Sequence, residues 1–388
     1  MTESFRLSGK GRLPAKAVRF SFDGSEFAGR EGDTLASALL ANGVHLTGRS
    51  FKYHRPRGIL SAGSEEPNAL VTVARDAARK TPNVRATVQE VYEGLSAESQ
   101  NRWPSLAFDV GAVNDIASPM FSAGFYYKTF MWPKAAWKSI YEPNIRAAAG
   151  LGKAPDKPDP DHYASRFAHC DVLVIGGGAA GLAAALAAAE SGVRVILADE
   201  QAAFGGAMRF EAGASVDGQD GWAWAKATAK KLAGMDNVRL LPRTTAFGYY
   251  AQNFVGLVER VSDHLAKPGR HPRERLWQVR ARRVVLATGA IERHMVFADN
   301  DRPGVMLASA ARTYLNHYGV AVGKNVGVFT ANDSAYAAAL DLKQAGVGIA
   351  GIVDLRDNPT GPLVDQARSL GIEINHGRAV IRTGGPVG

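Results

Sequence analysis

Three glycines and two acids carry the first chemistry in this chain. Gly176, Gly178 and Gly181 stand in G-x-G-x-x-G spacing within DVLVIGGGAAGLAAAL, and Asp199-Glu200 follow the next apolar run. In that spacing the first glycine permits a tight turn and the second lets the backbone reach a pyrophosphate. The third lets a helix pack close to a strand. The helix that follows offers free N–H groups and the positive end of its dipole to phosphate. A carboxylate at the end of the second strand accepts hydrogen bonds from ribose hydroxyls and repels a 2′-phosphate, which favours NAD or FAD over NADP. Glu200 is the first candidate for the ribose. Asp199 is the alternative, because strand ends read from sequence shift by a residue or two.

The elements that position these groups are legible around them. Residues 172–175 are a short apolar run suited to a strand buried on both faces. Residues 181–190 form an alanine-rich helix ended by Ser191-Gly192, and 193–198 form the second strand. Strand, glycines, helix, strand and terminal acid in this order are the context the glycine spacing needs. A helix around 221–232 follows, then strand-like stretches at 238–241 continuing to 250, at 254–260 and at 277–281. They lead into RVVLATG, residues 283–289, an apolar strand ending in Ala287-Thr288-Gly289. This is the second signature of two-dinucleotide flavoproteins. Its small residues let the backbone pass near a cofactor, so Thr288 and Gly289 join the candidate site.

A second α/β unit starts near Lys324, with a strand at 326–329, a helix at 334–344 and a strand at 347–353 closed by Asp354. Its turn reads TANDSA, which keeps phosphate farther from the backbone, so this half is not expected to hold a dinucleotide in the usual way. A helix at 361–370 and strands at 372–374 and 379–382 complete the reading. The closing segment of a two-dinucleotide fold, with its G-D motif, is not found, so the first sheet is expected to expose an edge.

The N-terminal part reads differently. Residues 17–22 alternate as a strand, Asp23-Gly24 turns, and Asp33 or Thr34 caps a short helix over 35–41 that ends at Asn42-Gly43. Strands are expected at 58–62 and 69–73. This order is that of a β-grasp, the fold of plant-type ferredoxins, which carry their cysteines in the loop after the helix. Here that loop, GRSFKYHRPRGILSAGSEEPN, holds none, so the unit is a ferredoxin-like shell without a cluster. His54 in that loop reads as a surface or packing residue.

Residues 76–168 are rich in aromatics: Trp103, Phe108, Phe121, Phe125, Tyr126, Tyr127, Phe130, Trp132, Trp137 and Tyr141. They pack either on this chain or against a partner. KAPDKPDPD, residues 153–161, reads as a linker. The expected fold class is α/β, a two-dinucleotide-binding-domain flavoprotein-like Rossmann fold with an N-terminal ferredoxin-like β-grasp domain lacking cluster cysteines. The expected divisions are a β-grasp domain over 1–100, an aromatic-rich connector over 101–168, an FAD/NAD(P)-binding Rossmann-like domain over 169–320 and a partial second α/β nucleotide-binding-like domain over 321–388.

Composition narrows the function classes. The 388 residues are 46% hydrophobic and 21% charged, enough for two or three domains. There is no apolar run of transmembrane length and no signal-peptide core, so a cytoplasmic, membrane-free location is expected. The single cysteine, Cys170, excludes an internal disulfide, a multi-cysteine metal or iron–sulfur site and paired-cysteine flavin chemistry. The net charge of +9 is scattered, with modest clusters at 49–57 and 270–283, and reads as a solvated surface or as a face for an acidic partner. No nucleic-acid module is present. No motif marks a catalytic residue or a metal-ligand set, and His294 and His317 read as structural.

Taken together, the motifs resemble the N-terminal part of the alpha subunits of heterotetrameric sarcosine oxidases. The cysteine-free start with FKYHRPRGILSAG, the segment GFYYKTFMWPKAAWKSIYE, VIGGGAAGLAAAL, LADEQAAFGG, VVLATGAIER and VFTANDSAYAAALDL carry the resemblance over nearly the whole chain. Amine and opine dehydrogenase subunits and hydrogen cyanide synthase subunits share the general plan. The resemblance implies an enzyme that oxidises sarcosine to glycine, forms hydrogen peroxide and passes the methyl carbon to tetrahydrofolate. It implies NAD on the glycine fingerprint of the alpha subunit, FAD on the beta subunit, FMN at the alpha–beta boundary, and gamma and delta subunits as further partners. The folate site is expected on a C-terminal half of the alpha subunit that this sequence lacks, as if truncated. By position, Ala180, Asp199, Glu200, Gln201, Gly206 and Ala207 are implied to line the NAD site, with Ala246 on the adenine side. A stand-alone FAD/NAD-dependent oxidoreductase and an inactive shortened gene product are the alternative readings.

Overall fold

The computed structural model describes residues 4–385 apart from 122, 123, 125–129, 131 and 151. The expected packing of Phe125, Tyr126, Tyr127 and the Phe121 side chain lies outside the described residues. The chain forms two compact units. One comprises Met1–Asp159, His294–Tyr314 and Tyr318–Gly388, and the other Pro160–Arg293 and Leu315–His317.

In the first unit, β1 (Ala17–Phe22) and β2 (Ser25–Arg30) form a hairpin. Asp23 and Gly24 turn it with φ of 48° and 79°, the positive angles that a two-residue hairpin turn demands. Helix α1 (Leu35–Ala41) begins where the Thr34 side chain accepts the Ser37 N–H at 3.2 Å, and all seven of its residues are buried. Strands β3 (Leu70–Ala74), β4 (Lys80–Arg85) and β5 (Leu95–Ser99) complete a sheet of order β2-β1-β5-β3-β4. The central β1–β5 pair is parallel and the other pairs are antiparallel. This is the β-grasp arrangement. Leu35, Leu39 and Leu40 of α1 pack with Phe20, Val71 and Leu95 of the sheet in one core.

The strand expected at 58–62 does not form; only Pro56–Arg57 pairs, with Gly48–Arg49. The reason is local. The Glu66 carboxylate, 1% exposed, accepts the N–H groups of Leu60, Ser61, Asn68 and Ala69 at 2.9, 2.7, 2.7 and 3.0 Å. Backbone donors that a ladder would have used are taken by a side chain.

The second unit carries β6 (Tyr163–Ile175), α2 (Ala179–Glu190), β7 (Val195–Ala198), α3 (Gly221–Ala233), β8 (Val238–Leu241), β9 (Thr244–Tyr250), β10 (Phe254–Arg260) and β11 (Glu274–Leu286). Its sheet order is β8-β7-β6-β11-β10-β9. The β8, β7, β6 and β11 strands run parallel, and β11, β10 and β9 form an antiparallel meander. The two stretches expected at 277–281 and 283–289 are one strand, because β11 pairs with β6 from Glu274–Tyr163 through to Leu286–Ile175. Alternation puts Leu173, Ile175 and Ile196 into one core layer and Val174, Val195 and Leu197 into another, where they meet Leu182 and Ala185 of α2. Truncating any of these fully buried leucines to alanine removes about 2–5 kcal/mol.

The rest of the first unit has α4 (Ala308–Thr313), β12 (Asn325–Thr330), α5 (Ser334–Gln344), β13 (Gly348–Asp354), α6 (Pro362–Ser369) and β14 (Ile374–His376). Its three strands are parallel in the order β12-β13-β14. The strand expected at 379–382 reduces to a single bridge between Ala298 and Arg382. Among the described residues no helix is long and apolar enough to cross a membrane.

Candidate functional site

The glycines of the fingerprint divide by what the fold asks of them. Gly176 has a φ of +100°, and a Cβ there would lie 2.3 Å from the Ala287 carbonyl oxygen. A Cβ at Gly181 would lie 1.8 Å from the Gly176 oxygen. Both are glycine because the protein packs against itself at those points. Gly178 is different. Its φ of −71° and ψ of −171° are extended backbone that any residue adopts, and a Cβ would meet nothing nearer than Gly206 Cα at 3.9 Å. Neither strain nor packing requires glycine there. Gly178 is also the N-cap of α2, and no side chain caps that helix end. Donors of the first helical turn therefore remain for another acceptor.

The turn is braced from β7. The Asp199 carboxylate accepts the Gly177 N–H at 2.5 Å through Oδ2 and the Gln201 N–H at 2.8 Å through Oδ1. Its backbone joins in: Asp199 N donates to the Leu241 oxygen at 3.0 Å and Thr244 N donates to the Asp199 oxygen at 2.7 Å. The Gly176 and Ala198 backbones bond at 2.8 Å, as do Ala287 N and the Ile175 oxygen. Asp199 is 9% exposed, and that burial pushes its carboxyl above the ordinary carboxylate value. The two backbone N–H groups and the nearby Arg209 charge work against the shift, and the Glu200 charge adds to it.

The structure brings most of the expected residues together. Thr288 Cα lies 3.1 Å from where a Gly176 Cβ would stand, so the Ala287-Thr288-Gly289 turn sits against the fingerprint. Gly206, at a φ of +50°, approaches Gly178 so closely that its own Cβ would meet Gly178 Cα at 2.8 Å. Ala180 and Ala207 are exposed, two residues past Gly178 and one past Gly206, and Gln201 follows the acids. Ala246 lies on β9 opposite Leu257, two residues past the Thr244 that bonds to Asp199. Glu200 is half-buried, and its backbone oxygen accepts from Arg260 Nη2 at 2.9 Å. His294 bonds to the Asn300 oxygen at 3.0 Å and His317 lies edge-on to Trp222, both within packing.

Two contributors escape the sequence pattern. Gly177 is the glycine whose N–H the acid takes, and a Cβ on it would sit 2.3 Å from the Phe204 ring. Arg209, in the short 3-10 turn Gly206–Arg209, is 8% exposed, and its Nη1 donates to Gln201 Oε1 at 2.9 Å. The run GGG and a lone cation three residues past Gly206 were the only signals available for them.

A parallel sheet with a glycine corner, an uncapped helix end and an acid beyond the second strand defines a dinucleotide-dependent oxidoreductase fold. Residues 171–275 match the FAD dependent oxidoreductase family, and residues 15–102 match the 2Fe-2S iron-sulfur cluster binding domain family. The L-proline dehydrogenase of P. horikoshii has a similar fold, with a TM-score of 0.61 at 22% identity over 93% of this chain and 57% of that one. The sarcosine oxidase alpha subunit of Rhizobium meliloti is 57% identical over 91% of this chain and 36% of its own length. That of Corynebacterium sp. (strain P-1) is 40% identical over 95% of this chain and 33% of its own length. The chain is similar to these sarcosine oxidase alpha subunits along nearly its whole length and spans about a third of theirs.

An iron–sulfur cluster does not fit the N-terminal unit. Residues 15–102 contain no cysteine, and the chain's one cysteine is Cys170, on β6. Among the described residues no group of three or more His, Cys, Asp or Glu side chains is placed to hold a metal ion. The loop after α1 is held by Glu66 instead.

Proposed function

We propose that the second unit binds the adenosine diphosphate half of NAD and that the chain is the NAD-holding part of a sarcosine oxidase alpha subunit. The observation that carries this reading is Gly178, a glycine in ordinary backbone whose Cβ would meet nothing closer than Gly206 Cα, at an ordinary contact distance of 3.9 Å. A residue kept small for no reason internal to the fold is explained by a ligand that comes against it. The pyrophosphate then lies over Gly176, Gly178, Ala180 and Gly181, beside Gly206, Ala207, Thr288 and Gly289. Glu200 takes the ribose, since both oxygens of Asp199 already accept backbone N–H groups. Gln201 lies next to the ribose and Ala246 on the adenine side.

In this reading the chain works with beta, gamma and delta subunits in oxidising sarcosine to glycine, with formation of hydrogen peroxide and transfer of the one-carbon unit to tetrahydrofolate. FAD and FMN belong mainly with the beta subunit, and folate with a further part of the alpha subunit. The relatives' names as subunits support a partnered assembly. So do Trp103, Phe108 and Trp132 of the connector, which are 67%, 70% and 83% exposed. In the same reading the chain divides into β-grasp, connector, Rossmann-like and second α/β parts and works in the cytoplasm. One observation favours a second reading: the match to FAD dependent oxidoreductases over 171–275 makes FAD the competing occupant of the same groove.

Calorimetric titration of the full chain with NAD, NADP and FAD tests both. NAD is expected to bind and NADP to bind more weakly. Glu200→Ala is expected to weaken NAD by ~1–3 kcal/mol, the scale of a hydrogen bond to a charged group, and to narrow the gap to NADP. Unchanged NAD affinity in that variant contradicts the ribose role, and tighter FAD than NAD binding moves the assignment to the flavin.

A further inference from the structure

We infer that Arg209 is a positioning residue for the nucleotide ribose, acting through Gln201, an inference that rests on the dinucleotide reading above. A guanidinium has five donors and no acceptor, so only the oxygen of the Gln201 amide can face it. Arg209 Nη1 holds that oxygen at 2.9 Å. The amide NH2 is thereby turned the other way, with two N–H groups to give. The stem beneath it is fixed as well: Gln201 N donates to Asp199 Oδ1 at 2.8 Å and the Gln201 backbone carbonyl oxygen accepts from Arg243 N at 2.9 Å.

Arg209 is a buried cation whose charge lies near the Asp199 carboxylate. It is 8% exposed, and its Nε has no hydrogen-bond partner among the described residues. A guanidinium removed from water in this way is costly, and a methionine would fill the volume without that cost. The Asp199 carboxylate offsets part of that cost, and the Arg209 hydrogen bond itself goes to Gln201. A ribose hydroxyl both gives and takes hydrogen bonds. The Glu200 carboxylate accepts the hydrogen bond that the hydroxyl donates, and a neighbouring Gln201 N–H donates to the hydroxyl oxygen. Donor beside acceptor is complementary to the adenosine 2′-hydroxyl of NAD.

The test is a double-mutant cycle on the full chain, titrated with NAD and with the NAD analogue that lacks the adenosine 2′-hydroxyl. Gln201→Ala and Arg209→Met are each expected to weaken NAD about threefold to tenfold, the range of one hydrogen bond. The double variant is expected to be no weaker than the weaker single, because both remove the same contact. Arg209→Lys restores part of the loss, since an ammonium also donates to the amide oxygen. On the 2′-deoxy analogue the Gln201→Ala loss disappears. Losses that multiply in the double variant, or that persist undiminished on the deoxy analogue, overturn the inference. If Arg209→Met does not fold, Gln201→Ala measured with the two ligands still decides. A wild-type chain that binds no NAD overturns this inference together with the reading beneath it. A wild-type chain that binds NAD while the losses multiply overturns the Arg209–Gln201 coupling alone.

Discussion

At Asp199 and Cys170 burial acts on two acids in the same direction, raising both. Asp199 keeps two backbone N–H acceptor bonds although burial raises its carboxyl. A raised folded-state value means that the folded chain holds the proton to higher pH than the unfolded chain. Its contribution to stability therefore falls as pH rises through that window. The turn still needs an acceptor for the Gly177 N–H, which explains why an acid stands there. Cys170, 3% exposed on β6, has its thiol pushed up to about 11 from an ordinary 9.0, chiefly by burial. Iodoacetamide at pH 8 is expected to label the native chain far more slowly than the unfolded chain, because the thiolate is the reactive form. The sign for stability follows: between 9.0 and about 11 the unfolded thiol has lost its proton and the folded one has not. Stability is expected to fall across that window by roughly 2 kcal/mol. Rapid labelling of native chain at pH 8 contradicts the buried, inert thiol.

Among the elements, the loop between α1 and β3 shows how a ferredoxin-like frame stands without iron. Four backbone N–H groups converge on Glu66, and the loop also meets α4 and its neighbours: Leu307 N donates to the Leu60 oxygen at 2.9 Å and Tyr314 OH to the Ser61 oxygen at 2.7 Å. Glu66→Ala leaves these donors without an acceptor and is expected to cost about 3–5 kcal/mol in urea unfolding, with Glu66→Gln costing less. An unmoved midpoint for Glu66→Ala would show that the carboxylate does not organise the loop. The same loop marks where sequence reading stops. Residues 58–62 look like a strand by composition, yet a carboxylate several positions on takes their donors, and no local pattern announces that. Strand β4, KTPNVR, is polar and holds Pro82, which an edge strand tolerates, so it gives no signal of its own. Residues 379–382 have strand-like residues but find only one bridging partner. By contrast β1, α1, α2 and α5 were legible, because periodicity and caps are local. The fingerprint glycines and the acids were legible because their spacing is itself the geometry. Arg209 was not, because its burial depends on the 3-10 turn after Gly206 and on Gln201 across from it.

For the whole molecule, the glycine corner and its bracing acid lie within one compact unit, Pro160–Arg293 with Leu315–His317. The cysteine-free β-grasp sheet lies in the other. In the proposed reading the chain holds a nucleotide on the parallel sheet and presents the exposed Trp103, Phe108 and Trp132 to partners. The second α/β part differs at the equivalent position: Asp354 accepts from Tyr336 OH at 2.8 Å and from Arg356 Nη2 at 2.7 Å, side chains of its own unit. One dinucleotide per chain is therefore the expected stoichiometry. The most direct measurement is calorimetric titration of NAD into the full chain beside its Gly178→Val variant, whose backbone angles at that position suit valine. One equivalent is expected to bind to the wild type and none to a Gly178→Val chain that melts cooperatively. Equal NAD binding by both proteins, or none by the wild type, would contradict it.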